Sequence, residues 1–79
     1  MNRVEALGVA IKEARAKKQL SQEKLAELAK LHRNSVGLVE RNLTKLAVDS
    51  LFAIADALGT TAAELVARAE TLAGDDRSL

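Results

Sequence analysis

The sequence predicts an all-α protein, a compact bundle of five helices in a single domain. Three observations support this fold class: the chain contains no proline, Ala and Leu are abundant, and apolar residues recur at three- and four-residue intervals. Seventy-nine residues with 48% hydrophobic content are enough for one modest core. We assign residues 1–73 to the domain and residues 74–79, which are mostly polar, to a tail.

The first helix is predicted by apolar spacing near the N-terminus and ends near Lys18. Gly8 lies inside it and is expected to weaken it mildly. A second helix is predicted from Ser21 to Ala29, because the Ser21 hydroxyl can accept from a free amide of the first turn. The apolar positions of these two helices are Val4, Leu7, Ile11, Ala14, Leu25, Ala26, Leu28 and Ala29.

A third helix is predicted from Arg33 to Arg41, with Val36 and Val39 on its inner face and Leu43 continuing that face. Residues 30–32 are too few to form anything except the turn of a helix-turn-helix. Small Ala26 on the second helix is expected where the two helices cross closely.

Two more helices are predicted after the loop at residues 42–47. The fourth contains Val48, Leu51, Phe52, Ile54, Ala55 and Leu58. Gly59 stops it, since glycine commonly ends helices in a left-handed conformation. Thr61 and Glu64 have the spacing of a capping box, which predicts a fifth helix from there to about Leu72.

The stretch IKEARAKKQLSQEKLAELAKLHRNSVGLVERN resembles the XRE-type helix-turn-helix family, which includes phage repressors and Cro. The resemblance covers about residues 7–66 and implies a lambda repressor-like fold that binds DNA. It rests on an Arg in the first helix, a Leu-Ser-Gln-Glu opening, a following Leu-Ala and a Val-Glu-Arg ending. Lys30 and Asn42 stand where the family has Gly; a left-handed Lys30 would cost about 1 kcal/mol, and Asn42 suits that conformation better.

The third helix is expected to enter the DNA major groove and read bases with Arg33, Asn34, Ser35, Gly37 and Leu38. Arg33 can form two hydrogen bonds with guanine, and Asn34 can form two with adenine. Leu38 either contacts a thymine methyl or completes the packing of its helix. Gly37 would let the backbone approach DNA closely.

Phosphate contacts are expected on both sides of this helix, from Gln22, His32, Asn42, Thr44 and Lys45. The family resemblance places Gln22 there, at the start of the second helix. His32 is the single histidine and lacks a second ligand nearby in sequence, so no metal site is expected.

Glu40 follows Val39 on the inner side of the third helix and is expected to be partly buried, where a carboxylate requires a partner. Arg15 is the best candidate, and the family resemblance implies the same ion pair. The alternative is that both charges are solvated and never meet.

Charge is distributed unevenly. Residues 1–45 carry ten Lys and Arg against five Asp and Glu, whereas residues 46–79 carry two against six. This asymmetry favours a protein with a phosphate-facing basic half, although solvation of helix surfaces is the simpler alternative. On the fifth helix, an apolar stripe is expected to form a homodimer interface, unless all four residues pack inward: Leu65, Val66, Ala69 and Leu72.

These features predict a sequence-specific regulator of transcription that binds double-stranded DNA as a homodimer, on half-sites about 34 Å apart. The resemblance is strongest to the controller proteins of restriction-modification systems, which implies activation and repression of its own promoter. The alternatives are a phage-type repressor, or an antitoxin or protein-protein adaptor on the same fold.

An enzyme is not expected, because the chain has no cysteine, one histidine and no glycine-rich phosphate loop. For the same reasons no cofactor is expected, and a chain of this length leaves no room for a small-molecule effector pocket. No signal peptide or apolar run of membrane-spanning length is found, so we expect a cytoplasmic protein of a bacterium or phage, with no membrane partner.

Overall fold

A computed structural model describes residues 1–75, and these residues form five α-helices without strands. The helices are α1 (Arg3–Lys17), α2 (Gln22–Leu28), α3 (Ser35–Glu40), α4 (Val48–Leu58) and α5 (Ala62–Ala73). The predicted all-α, five-helix fold is confirmed. Of the tail predicted at residues 74–79, Gly74 and Asp75 form a turn, and residues 76–79 lie outside the described residues.

Three helices begin at a polar side chain that accepts a backbone hydrogen bond. The Ser21 hydroxyl accepts from the backbone N–H of Lys24 at 2.9 Å, and the Thr61 hydroxyl accepts from Glu64 at 3.0 Å. Both predicted helix starts are therefore confirmed. At α1, the Asn2 side chain accepts from the backbone N–H of Glu5 in a capping box that we did not predict.

Four helices end at a residue in the left-handed conformation. These residues are Gln19, Lys30, Asn42 and Gly59, with φ angles of 57°, 60°, 57° and 70°. After α1, α2, α3 and α4, two backbone N–H groups turn back to carbonyls of the last helical turn, as in the Schellman motif. The left-handed positions expected of Lys30 and Asn42 are confirmed, and Gln19 is a third that the sequence did not reveal.

The hydrophobic core lies where α1, α2, α3 and α4 converge. Ile11, Leu25, Val36 and Ile54, one from each of these helices, are its largest fully buried side chains. Ala26 is also completely buried, in agreement with its expected place in the close crossing of α2 and α3. The inner face of α3 thus packs on aliphatic side chains, mainly those of α1 and α2.

Gly8 has a structural role that the sequence analysis missed. It lies where α1 crosses α3, and a Cβ atom placed on it would be 2.6 Å from the backbone oxygen of Val39. Real Cβ atoms essentially never approach another atom so closely. The expected mild cost of this glycine was therefore an incomplete description, because its missing side chain allows α1 to contact the third helix.

The expected place of Leu65 and Ala69 in a dimer interface is corrected by the structure. They are only 4% and 1% exposed, because α5 lies along α1 and buries these two residues of the stripe within the protomer. Leu65 joins the main core, and Ala69 packs in a smaller cluster with Ala6 and Ala73. Buried side chains of this kind cannot supply contact area to a second copy.

Some large apolar residues lie at the surface instead. Leu43 is 64% exposed, so its prediction as a continuation of the inner face of α3 was wrong. The helix ends at Glu40 and Asn42 reverses the chain, so the helical period no longer holds at Leu43. On α4, Phe52 is 57% exposed, because Ile54, Ala55 and Leu58 occupy the buried side of that helix.

An ion pair on the surface also joins α1 to α5. Arg68 donates from Nε and Nη2 to the two carboxylate oxygens of Glu13, at 2.9 and 3.0 Å. These hydrogen bonds stabilise the carboxylate and lower the pKa of Glu13 below its usual value.

Among residues 1–75, no single helix has the length and hydropathy of a membrane span. The pair α4 and α5 reaches that length and hydropathy only when taken together, and the two helices are bent by 100°.

Candidate nucleic-acid interface

The helix-turn-helix consists of α2, α3 and the connection between them, but α3 is shorter than predicted. It begins at Ser35 instead of Arg33 and ends at Glu40 instead of Arg41. The backbone N–H of Asn34 donates to Nδ1 of His32 at 3.2 Å, and that of Ser35 donates to the His32 carbonyl at 2.9 Å. These two bonds form a turn that presents residues 33 and 34 just before the helix.

Arg33 and Asn34 have exposed side chains at this turn. Asn34 occupies the N-cap position of α3, yet its side chain makes no capping hydrogen bond. Neither side chain has a hydrogen-bond or ion-pair partner within residues 1–75. Both polar ends are therefore available to a ligand outside the chain.

Ser35 and Leu38 lie one turn apart on α3 and are half-buried. Together with Thr44, Lys45 and Ser50 they line a small concave surface of about 180 Å³ beside the third helix. Leu38 has both a packed and an open side. Its geometry is compatible with either of its two expected roles, apolar contact with a ligand or packing of the helix.

Gly37 does not lie on this outer surface, and its expected role in base reading is corrected. It is buried and faces the start of α2, where an added Cβ would be 3.1 Å from Oε1 of Gln22. The apolar spacing missed this because it identifies the buried face of a helix from side chains, and glycine has none.

Arg15 and Glu40 form an ion pair between α1 and α3. Arg15 donates from Nε to Oε2 of Glu40 at 2.7 Å and from Nη2 to Oε1 at 3.1 Å. Their side chains are 15% and 2% exposed, which rules out two separately solvated charges. The hydrogen bonds to Glu40 raise the pKa of Arg15, and Nη1 of Arg15 also donates to the Leu20 carbonyl at 2.8 Å. This pair fixes α3 against α1.

Gln22 and His32 both use one polar atom inside the chain. Nε2 of Gln22 donates to Oε1 of Glu40 at 2.9 Å, which leaves its second N–H available. Nδ1 of His32 accepts from the backbone, so the neutral ring carries its hydrogen on Nε2. Each exposed side chain thus keeps one donor for an anionic ligand.

The segment after α3 places further polar groups at the surface. Asn42, Thr44 and Lys45 are exposed and have no side-chain partner among residues 1–75. Arg41, which the sequence analysis did not select, donates from Nε to the Gly37 carbonyl at 3.1 Å. A basic side chain following a helix commonly binds its last carbonyls, and that signal was present in the sequence.

Comparisons with known proteins agree with this geometry. The control protein C.SmaI of Serratia marcescens is 43% identical over 49 residues, which are 62% of this chain and 58% of that protein. The chain thus spans little more than half the length of this relative. The crystal structure of the restriction-modification controller protein C.AhdI from Aeromonas hydrophila matches with 38% identity and a TM-score of 0.74, covering 80% of this chain and 94% of that chain.

A crystal structure of the clp gene regulator ClgR from Corynebacterium glutamicum matches with 26% identity and a TM-score of 0.85, covering 94% of this chain and 96% of that chain. A family model described as helix-turn-helix (HTH_3) matches residues 11–65, more than half of the chain. The resemblance found in the sequence is confirmed. The chain belongs to the XRE-type helix-turn-helix family of transcription regulators.

Proposed function

We propose that this protein binds specific sites on double-stranded DNA as a homodimer and regulates transcription from them. The observation that carries the proposal is the pair of free polar ends on Arg33 and Asn34, presented at the start of α3. Beneath them, Val36 and Val39 are buried and Glu40 is tied to Arg15. A rigid base with an unsatisfied polar edge is what direct reading of a major groove requires.

Base reading is assigned to Arg33 and Asn34, with Ser35 and Leu38 beside them. Each two-bond contact with a base edge contributes about 1–3 kcal/mol of discrimination against the wrong base. Phosphate binding is assigned to residues on both sides of α3: Gln22, His32, Asn42, Thr44 and Lys45. Such contacts set the register on the duplex, and the charge of Lys45 makes affinity depend on salt.

The dimer contact is assigned to the apolar surface that α5 leaves open. Val66 is 37% exposed and lines a groove of about 340 Å³ together with Val4 and Leu7 of α1. Leu72 is half-buried at the end of the same helix. A specific interface needs about 800 Å² from each partner, so this surface must be extended by neighbouring residues.

Within this function, a controller protein of a restriction-modification system is the first choice. It is supported by the similarity to C.AhdI, which is named a restriction-modification controller protein, and to C.SmaI, which is named a control protein. A controller would activate and repress its own promoter in the bacterial cytoplasm. A phage-type repressor or an antitoxin or adaptor would share the fold, and an adaptor would bind duplex DNA weakly at any salt concentration.

Selection of bound sequences from random duplexes tests the function directly, followed by titrations of the selected and a scrambled duplex at two salt concentrations. We expect Arg33→Ala to abolish the preference for the selected duplex with the fold intact. Lys45→Ala, the matched control, should weaken binding to both duplexes equally and reduce the salt slope by about 0.9. An unchanged preference in Arg33→Ala would refute the assignment of α3 as the base-reading helix.

A further inference from the structure

Gln22, Gly37 and Glu40 meet where α2 crosses α3. Nε2 of Gln22 donates to Oε1 of Glu40 at 2.9 Å, and Glu40 is held in turn by Arg15. Oε1 of Gln22 lies over Gly37, 3.1 Å from the point where a Cβ would stand. The Gln22 amide is thus held at its nitrogen by a carboxylate that is 2% exposed, and its oxygen fills the space left by a missing side chain.

We propose that Gly37 and Glu40 are positioning residues for Gln22: together they hold its amide in one orientation before DNA arrives, with the second N–H ready for a phosphate. This inference rests on the proposed function, because it concerns how the same surface binds DNA. A free glutamine loses rotamer freedom when it is immobilised on a ligand. A glutamine that is already fixed binds without that loss.

The need for glycine follows from the distances. Ordinary van der Waals contacts of a Cβ begin at about 3.4 Å, so an alanine at position 37 would displace the Gln22 amide. The required shift is a few tenths of an ångström, and the 2.9 Å hydrogen bond to Glu40 opposes it. Glycine in the interior of a helix is otherwise less favourable than alanine. Its presence in a helix of six residues is explained by the space that Gln22 occupies.

An unfolding cycle without DNA tests the contact itself, using Gly37→Ala, Gln22→Ala and the double variant. In the Gln22→Ala background, Gly37→Ala should raise the folding equilibrium constant about five-fold, which is the gain from replacing glycine in a helix. In the natural background that gain should be absent or reversed. The same five-fold gain in both backgrounds would overturn the proposal.

Duplex binding tests the positioning role, because a purely structural contact between Gly37 and Gln22 would leave the affinity for DNA unchanged. The probe is a labelled duplex of mixed sequence and about 30 base pairs, titrated at salt concentrations from roughly 50 to 200 mM, well below the unfolding temperature of every variant. Gln22→Ala should weaken binding about ten-fold at every salt concentration without changing the salt slope, because a neutral amide displaces no counterion. Gly37→Ala should weaken binding in the same way by a smaller factor, and the double variant should lose no more than Gln22→Ala alone.

Lys45→Ala is the matched control, because its loss should add to that of Gly37→Ala. An unchanged duplex affinity in Gly37→Ala, or additive losses of affinity in the double variant with Gln22→Ala, would refute the positioning role. The unfolding cycle needs no DNA, so its outcome separates the two claims. A natural chain that does not bind duplex would refute the proposed function, and the contact between Gly37 and Gln22 would still be decided by the cycle.

Discussion

Replacing Gly8 by alanine tests the packing of α1 on α3. The new methyl group would stand 2.6 Å from the Val39 oxygen and 3.3 Å from atoms of Glu40, all of them backbone atoms. An ordinary contact begins near 3.4 Å, so the two helices must separate by most of an ångström at this point. Overpacking costs about 1–3 kcal/mol, and the rigid backbone favours the upper part of that range.

The same substitution removes a glycine from a helix interior, which is worth about 1 kcal/mol in stability. The net expectation is a loss of about 1–2 kcal/mol, and a fall in Tm of roughly 5–15 °C for a domain of this size. Urea and thermal denaturation followed by circular dichroism would measure both. A second consequence is weaker DNA binding, because the moved atoms belong to α3.

Ala16→Gly is the matched control, since Ala16 lies exposed on the same helix. It should lose up to about 1 kcal/mol through helix propensity alone, without altering the contact with α3. The sum of the two stability losses isolates the clash, because helix propensity enters them with opposite signs. A Gly8→Ala protein that is more stable than the natural chain would refute the reasoning, because propensity would then outweigh the close approach.

Three further outcomes are expected. Arg15→Ala should lose about 3–5 kcal/mol in urea denaturation by leaving Glu40 buried without its cation, and a double variant with Glu40→Ala should recover part of that loss; no recovery would contradict the pairing. Because the folded-state pKa of Glu13 is lowered, its ion pair stabilises the fold at neutral pH and is lost as the pH falls below about 4. The Tm gap between the natural chain and Glu13→Gln should therefore close in acid, and a constant gap would argue against it. Val66→Glu should give monomers in analytical ultracentrifugation while Ala67→Glu, on an exposed neighbouring position, leaves dimers; dimers in both would move the interface elsewhere.

The sequence correctly predicted the helix starts and ends that depend on residues close together in the chain. Helix starts at Ser21 and Thr61 follow from a hydroxyl three residues before a free amide. The left-handed ends at Lys30, Asn42 and Gly59 follow from the end of an apolar period together with the helix-turn-helix pattern. These are interactions within one turn of backbone, and the residues that make them lie next to each other in the printed sequence.

The third helix shows where such prediction weakens. Its inner face, Val36 and Val39, was assigned correctly from spacing, and both residues are buried. Its first residue was predicted wrongly. Arg33 belongs to the turn, because the backbone N–H groups of Asn34 and Ser35 donate to His32 before the helix begins. The exposed polar residues of the candidate site were found from the sequence, but their placement before the helix was not.

Only the tertiary structure decided the roles of Gly8, Gly37, Leu65 and Ala69. Spacing along a helix tells which residues share a face, but it does not tell which other helix will cover that face or how closely. The two glycines are required by atoms of Val39 and Gln22 that lie far away in sequence, and α1 covers the side of α5 that carries Leu65 and Ala69. Contacts between distant segments depend on how all five helices pack at once, and no local pattern contains that information.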